Sequence, residues 1–122
     1  MGKESYELGL EGENTACGYL EQTGFKIVER NFRSYQGEID IIAKDKNCLV
    51  FVEVKSYSFK SFSLPIYSVT KAKRSSIIYT ARYYIHKNRL QNELCRFDVV
   101  AIYKKSTKET VVEHFKNAFY IK

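Results

Sequence analysis

Residues 48–56, CLVFVEVKS, limit the fold more than any other stretch of the chain. Side chains alternate along a strand, so Leu49 and Phe51 take one face while Val50, Val52 and Val54 take the other. A strand that is apolar on both faces has to be covered on both sides. That is the position of a central strand in a layered α/β domain.

The rest of the chain supplies the covering layers. A helix is expected over about residues 5–23, with Ala16, Cys17 and Leu20 on one face and Gly24 as its C-terminal cap. Strands are expected over 25–32 and 38–43, separated by a turn at 34–37. The second of these forms a hairpin with 48–56 through the polar turn Asp45-Lys46-Asn47. A loop rich in Ser and aromatic residues follows over 56–65, and a second helix over 68–86. Val69, Ala72, Ser76, Thr80 and Tyr84 mark the inner face of that helix, with Lys71, Arg74 and Arg82 on the other side. A fourth strand over 96–103 returns parallel to the third, because a strand–helix–strand crossover is right-handed. An edge strand over 110–115 completes the sheet, and the tail Phe119-Tyr120-Ile121 is too apolar to stay undocked. No repeat or linker interrupts the 122 residues, so one domain is expected: a mixed sheet of about five strands flanked by helices.

Composition narrows the partners. Twenty Lys and Arg against fourteen Asp and Glu leave a net charge of +6, which favours polyanions or simply keeps the protein dispersed. The three cysteines are widely spaced and sit beside apolar residues, which speaks for buried free thiols rather than a disulfide framework or a zinc site. The N-terminal residues MGKESYELGLEGEN lack the apolar core of a signal peptide, and no apolar run approaches the ~20 residues of a membrane span. A cytoplasmic protein without a membrane partner is therefore expected.

The hairpin carries the chemistry. Glu53 and Lys55 share one face of the third strand, and Glu38 and Asp40 share one face of the second. Twelve residues separate Asp40 from Glu53, so the two can lie side by side across the hairpin, ~5 Å apart. A Glu and a Lys that interrupt a buried apolar run must be paired or bound, and two adjacent carboxylates repel unless a cation lies between them. Such an oxygen-rich pocket suits Mg²⁺. An E-x-K on a strand also arises by chance as a surface ion pair; it is Asp40 on the neighbouring strand that favours a site. Glu13 falls on the inner stripe of the first helix with Ala16, Cys17 and Leu20, either reaching the pocket directly or through water, or turning outward at the helix edge.

Several strings make a resemblance visible. In order they are GENTACGYL, ERNFR, GEIDIIA, LVFVEVK and RFDVVAI. From about Gly9 to Tyr103 the chain resembles the YraN-like family of small uncharacterised bacterial proteins, itself similar to archaeal Holliday-junction resolvases within the PD-(D/E)XK nuclease superfamily. The resemblance implies a restriction-endonuclease-like three-layer core and a single nuclease-like domain over residues 1–122. It implies Mg²⁺-dependent hydrolysis of DNA phosphodiesters, with Mn²⁺ able to substitute, branched DNA among the substrates and a homodimer that pairs two cuts. It places the metal-binding acid at Asp40, the second acid at Glu53, the lysine at Lys55 and the helical glutamate at Glu13. The backbone carbonyl of Val54 joins the metal ligands, and Glu38 stands at the rim. No proline precedes Asp40, where Ile39 stands.

Lys71, Arg74, Arg82 and Lys60 are the expected contacts to the DNA backbone; Lys71 reads equally as a solvated helix lysine. Asp98 reads better as a structural ion-pair residue beside Arg96. Two other functions share the fold: a non-catalytic nucleic-acid-binding module, and an interaction protein using the loop at 56–67 as its contact surface.

Overall fold

The computed structural model describes residues 2–57, 69–106 and 108–119. The first helix, α1 (Gly2–Gln22), leads into three antiparallel strands: β1 (Lys26–Arg33), β2 (Glu38–Asp45) and β3 (Cys48–Tyr57). A second helix, α2 (Lys71–Lys87), precedes β4 (Leu94–Ser106) and β5 (Glu109–Phe119). The strands lie side by side in chain order in one sheet. β3 and β4 pair in parallel and the other neighbours antiparallel, so the sheet is mixed and β3 is its centre. This is the three-layer α/β core of the restriction-endonuclease-like type.

The two faces of β3 divide the core as its sequence requires. Leu49 and Phe51 pack with Ile77, Ala81 and Tyr84 of α2, together with Phe97, Val99 and Phe119. Val50 and Val52 pack on the opposite face with Ala16, Cys17 and Leu20 of α1, together with Val100 and Ile102. The end of α1 is sealed by paired bonds: the Phe25 N–H donates to the Leu20 carbonyl and the Gly24 N–H to that of Glu21, at 2.9 and 3.1 Å. Gly24 adopts φ +98°, the left-handed conformation this cap needs. Close packing of α1 on β3 depends on Gly12, where a Cβ would lie 1.8 Å from Ser56 Oγ.

The inner face of α2 differs from the expected one. Its buried residues are Ile77, Thr80, Ala81 and Tyr84. Val69 is buried but precedes the helix, Ala72 is exposed and Ser76 is half-buried. Four residues advance a helix by about 40° more than a full turn. The row 72, 76, 80, 84 therefore drifts around the cylinder, and only its later members reach the sheet. β5 runs on to Phe119, whose ring stacks on Phe97 with centroids 4.9 Å apart, so the tail docks at that residue. Tyr120, Ile121 and Lys60 lie outside the described residues. All three cysteines are free, Cys17 buried and Cys48 and Cys95 half-buried. Among the described residues, no helix is long and apolar enough to cross a membrane.

Candidate active site

The site forms where β2 and β3 part. Their ladder runs from Asp45/Cys48 to Ile41/Val52 and stops there. β1 and β2 stay paired as far as Arg33/Glu38, and β3 and β4 as far as Tyr57/Tyr103. The sheet thus opens between its second and third strands, and Asp40 and Glu53 are the first residues past the opening. The Asp40 carboxylate replaces the missing backbone partner: its Oδ2 accepts from the Val54 N–H at 2.8 Å. Glu53 is 6% exposed.

The parting is accompanied by a break in alternation. Ile39 packs on the α2 side and Ile41 on the α1 side, although a regular strand places residues two apart on one face. β1 breaks at the same level. Arg30 reaches α1 at Glu13, whereas Phe32 meets the Tyr84 ring of α2 edge-on. Asn31 between them has φ +54°, and the register sets it opposite Asp40. A left-handed residue in a strand redirects the side chains beyond it.

The third wall comes from α2. The turn between β1 and β2 is fastened to the helix by two hydrogen bonds. Ser76 Oγ donates to the Gln36 carbonyl, and Ser34 Oγ lies 2.7 Å from Thr80 Oγ1. Gly37 permits the approach, since a Cβ there would stand 2.8 Å from Ser76 Oγ and 3.2 Å from the Ser76 carbonyl. The result is a cleft of about 410 Å³ lined by Glu38, Asp40, Glu53, Lys73, Ser76 and Ile77, with Gly37 and Ala72 at its edge.

Its electrostatics are dominated by the acid pair. Burial lifts the Asp40 carboxyl far above the usual carboxylate range, and a hydrogen bond to Glu53 and the charges of Glu53 and Glu13 raise it further, against the opposing effect of the Val54 N–H. Lys73 Nζ lies 3.2 Å from Glu53 Oε2. Even so, that oxygen is buried without a hydrogen-bond partner; the lysine is near enough for charge but not aligned to donate. A half-buried acid beside a buried one with an unsatisfied oxygen forms a donor set that a hard divalent cation fits. Among the described residues, no three His, Cys, Asp or Glu side chains converge closely enough to hold an ion. A metal here would take its side-chain ligands from these two carboxylates and complete its shell with backbone oxygen or water, and Mg²⁺ commonly takes only one or two carboxylates.

The other expected residues are distributed around this centre. Glu38 stands at the rim, ion-paired to Arg33 at 2.7 Å. Glu13 keeps its place on the inner stripe of α1, 17% exposed, but is held 3.4 Å from Arg30. Lys55 is half-buried on β3 and alternation puts it on the face of Glu53, yet the cation lining the cleft is Lys73. Nothing in the spacing of Lys73 to Glu53 marked it, since the helix brings it there across twenty residues of chain.

Lys71, Arg74 and Arg82 line a wider groove of about 1220 Å³ along α2, which meets the cleft at Ala72 and Ser76. Arg74 is partly structural: its Nε donates to the Val69 carbonyl at 3.0 Å and its guanidinium lies 6.0 Å from the Phe119 ring centre.

Asp98 has the structural role expected of it. It is fully buried, binds Arg96 through both oxygens at 3.0 and 3.1 Å, lies 2.8 Å from His114 Nε2 and accepts from the Asn117 N–H. Burial alone would raise its carboxyl, but the bonds from His114, Arg96 and Asn117 hold it below the usual range. Arg96 extends the network to Asp45 at 2.9 Å.

The model of an uncharacterised protein family, UPF0102, matches residues 12–102, a span that contains Asp40, Glu53, Lys55 and Lys73. The chain is 44% identical over 120 residues to a UPF0102 protein of Trichlorobacter lovleyi, covering 98% of this chain and 94% of the relative. A UPF0102 protein of Clostridioides difficile is 48% identical over 113 residues, covering 93% and 96%. One from Coxiella burnetii is 40% identical over 116 residues, covering 94% and 93%.

Proposed function

The chain belongs to the uncharacterised protein family UPF0102, and from that premise we propose that it is a metal-dependent endodeoxyribonuclease of the PD-(D/E)XK type, a structure-selective resolvase among the forms this takes. The observation that carries the reading is the parting of β2 from β3, which leaves half-buried Asp40 and buried Glu53 side by side, with Glu53 Oε2 unsatisfied. A fold without a use for that pair is more stable with apolar residues there.

In this reading Asp40 and Glu53 hold Mg²⁺ or Mn²⁺, with the Val54 carbonyl as a third protein ligand, Glu13 acting through water and Glu38 at the rim. A divalent ion bound there supplies Lewis acidity toward a phosphate and lowers the pKa of a water. Lys55 orients the attacking water and stabilises the charge that grows on the phosphate oxygens. Lys73 neutralises Glu53 from the helix side. Lys71, Arg74 and Arg82 hold DNA phosphates along the groove, and Lys60 from the following loop is proposed to join them. Phosphate contacts position without reading bases, so sequence preference is weak and salt dependence strong. A homodimer would pair two such cuts, and three free cysteines are in keeping with a reducing cytoplasm.

The test is incubation of the protein with linear and branched DNA in Mg²⁺ or Mn²⁺, beside Asp40→Asn, Glu53→Gln and Lys55→Ala. Cleavage by the wild type that is lost in all three supports the reading. DNA binding without cleavage, equal in all four proteins, would leave a non-catalytic nucleic-acid-binding module. One observation favours that second reading: Lys73 already supplies a positive charge to Glu53.

A further inference from the structure

Exposed Tyr79 lines the groove beside the cleft, and two further exposed tyrosines, Tyr35 and Tyr83, each adjoin in sequence one of its lining residues, Gln36 and Arg82. Tyr35 is fully exposed at the turn that Ser34 and Gln36 fasten to α2. Tyr79 and Tyr83 follow one turn apart on the outer side of α2, each 46% exposed. Single exposed apolar residues are ordinary, and Tyr83 stacks on Phe32 with ring centroids 6.0 Å apart, but Tyr79 sets an exposed ring directly in a groove lined by cations.

The charges around them have one sign. Between Lys71 and Lys87 the helix carries five Lys or Arg and no Asp or Glu. At 100° per residue, Lys71, Ser75, Tyr79 and Arg82 fall on one outer stripe, with Tyr83 at its flank. Lys71, Tyr79 and Arg82 all line the groove, which shares Ala72 and Ser76 with the acid cleft. Cations alone suit the phosphates of any nucleic acid. Rings set among them add something a duplex cannot use from outside, because its base faces are stacked inside. Unpaired bases do present their faces, and they stack on aromatic side chains with little regard to sequence.

We propose that this stripe is a binding site for a single-stranded polynucleotide, with Tyr79 stacking on an unpaired base, Tyr35 and Tyr83 flanking it, and Lys71 and Arg82 holding the phosphates on either side. The inference deepens the nuclease reading and rests on it for the direction of travel: a strand seated on the stripe runs past Ala72 and Ser76 into the cleft.

The experiment measures fluorescence anisotropy of a short labelled oligothymidylate, an oligouridylate and a blunt duplex with the full chain in EDTA, where no cleavage occurs. Tyr79→Ala is expected to weaken single-strand binding about tenfold or more, to leave duplex binding within about twofold, and to be rescued by Tyr79→Phe, which keeps the ring. Arg82→Ala should weaken single strand and duplex alike and lower the salt slope by about one. The uridylate arm tells whether the site accepts RNA as well as DNA; loss on either single strand supports stacking. Unchanged affinity in Tyr79→Ala, equal loss on the duplex, or no single-strand binding by the wild type overturns the proposal. Its failure is separable from that of the nuclease reading. Cleavage in Mn²⁺ with no Tyr79 effect sinks the stripe alone, and a Tyr79 effect without cleavage in any metal sinks the nuclease alone.

Discussion

Replacing Asp40 with Asn should make the metal-free protein more stable while removing its response to metal. The wild-type carboxyl is held far above its usual range by burial and by Glu53. The folded state therefore keeps a proton that the unfolded chain releases above about pH 4. The sign follows by linkage: stability is greatest below the unfolded value and falls as pH rises toward the folded one. Each pH unit in that window costs about 1.4 kcal/mol, so the upper bound at pH 7 is about 4 kcal/mol, and Lys73 beside Glu53 reduces it. Asn copies the protonated state. Its oxygen accepts from the Val54 N–H as Asp40 does at 2.8 Å, and its amide donates toward Glu53 without carrying charge. A gain of about 2 kcal/mol at pH 7.5 is expected, or roughly 8 °C in Tm for a chain of this size, shrinking toward zero near pH 4. Thermal melts in EDTA from pH 4 to 8 read this directly. Repeating them in Mg²⁺ or Mn²⁺ should raise Tm for the wild type but not for the variant. A variant less stable than the wild type at pH 7.5 would refute the argument that the acid pair is uncompensated. An equal metal-induced rise in both proteins would refute the cleft as the ion's site.

Three more outcomes follow from the same geometry. Lys73→Met leaves Glu53 without its neighbouring cation; because the lysine is half exposed, the loss should be about 1 kcal/mol in EDTA, and Mg²⁺ should recover it, both measured by denaturant titration. Gly37→Ala forces a Cβ against the Ser76 carbonyl and should cost about 1–3 kcal/mol; a melt indistinguishable from the wild type would show that the turn is free to retreat from α2. Asp98→Asn breaks a buried network around Arg96 and His114 and should cost about 3 kcal/mol at pH 7. Because the Asp98 carboxyl is held below its usual range, its stabilisation is present above the unfolded value and is lost as pH falls through the folded one, so urea titrations should show the two proteins converging below about pH 4.

The layering was legible because burial on both faces writes itself into consecutive residues. Leu49, Val50, Phe51 and Val52 could belong only to a covered strand, and they occupy the centre of the sheet with α1 and α2 on opposite sides. The face of α2 was misread where the expected row began, at Val69 and Ala72, because the helix starts only at Lys71 and a four-residue row drifts as it climbs. The pairing of Asp40 with Glu53 was legible from register, since a short turn leaves a hairpin few ways to align.

What the amino-acid order determined alone is the set of local choices: period, turn chemistry, and which acids share a strand face. Those depend on neighbours a few residues away. The opening between β2 and β3, the reversal at Asn31, the arrival of Lys73 beside Glu53 and the fastening of Ser34 to Thr80 depend on contacts between distant segments. No local rule contains them, because they join segments far apart in the chain, and such contacts exist only in the folded protein.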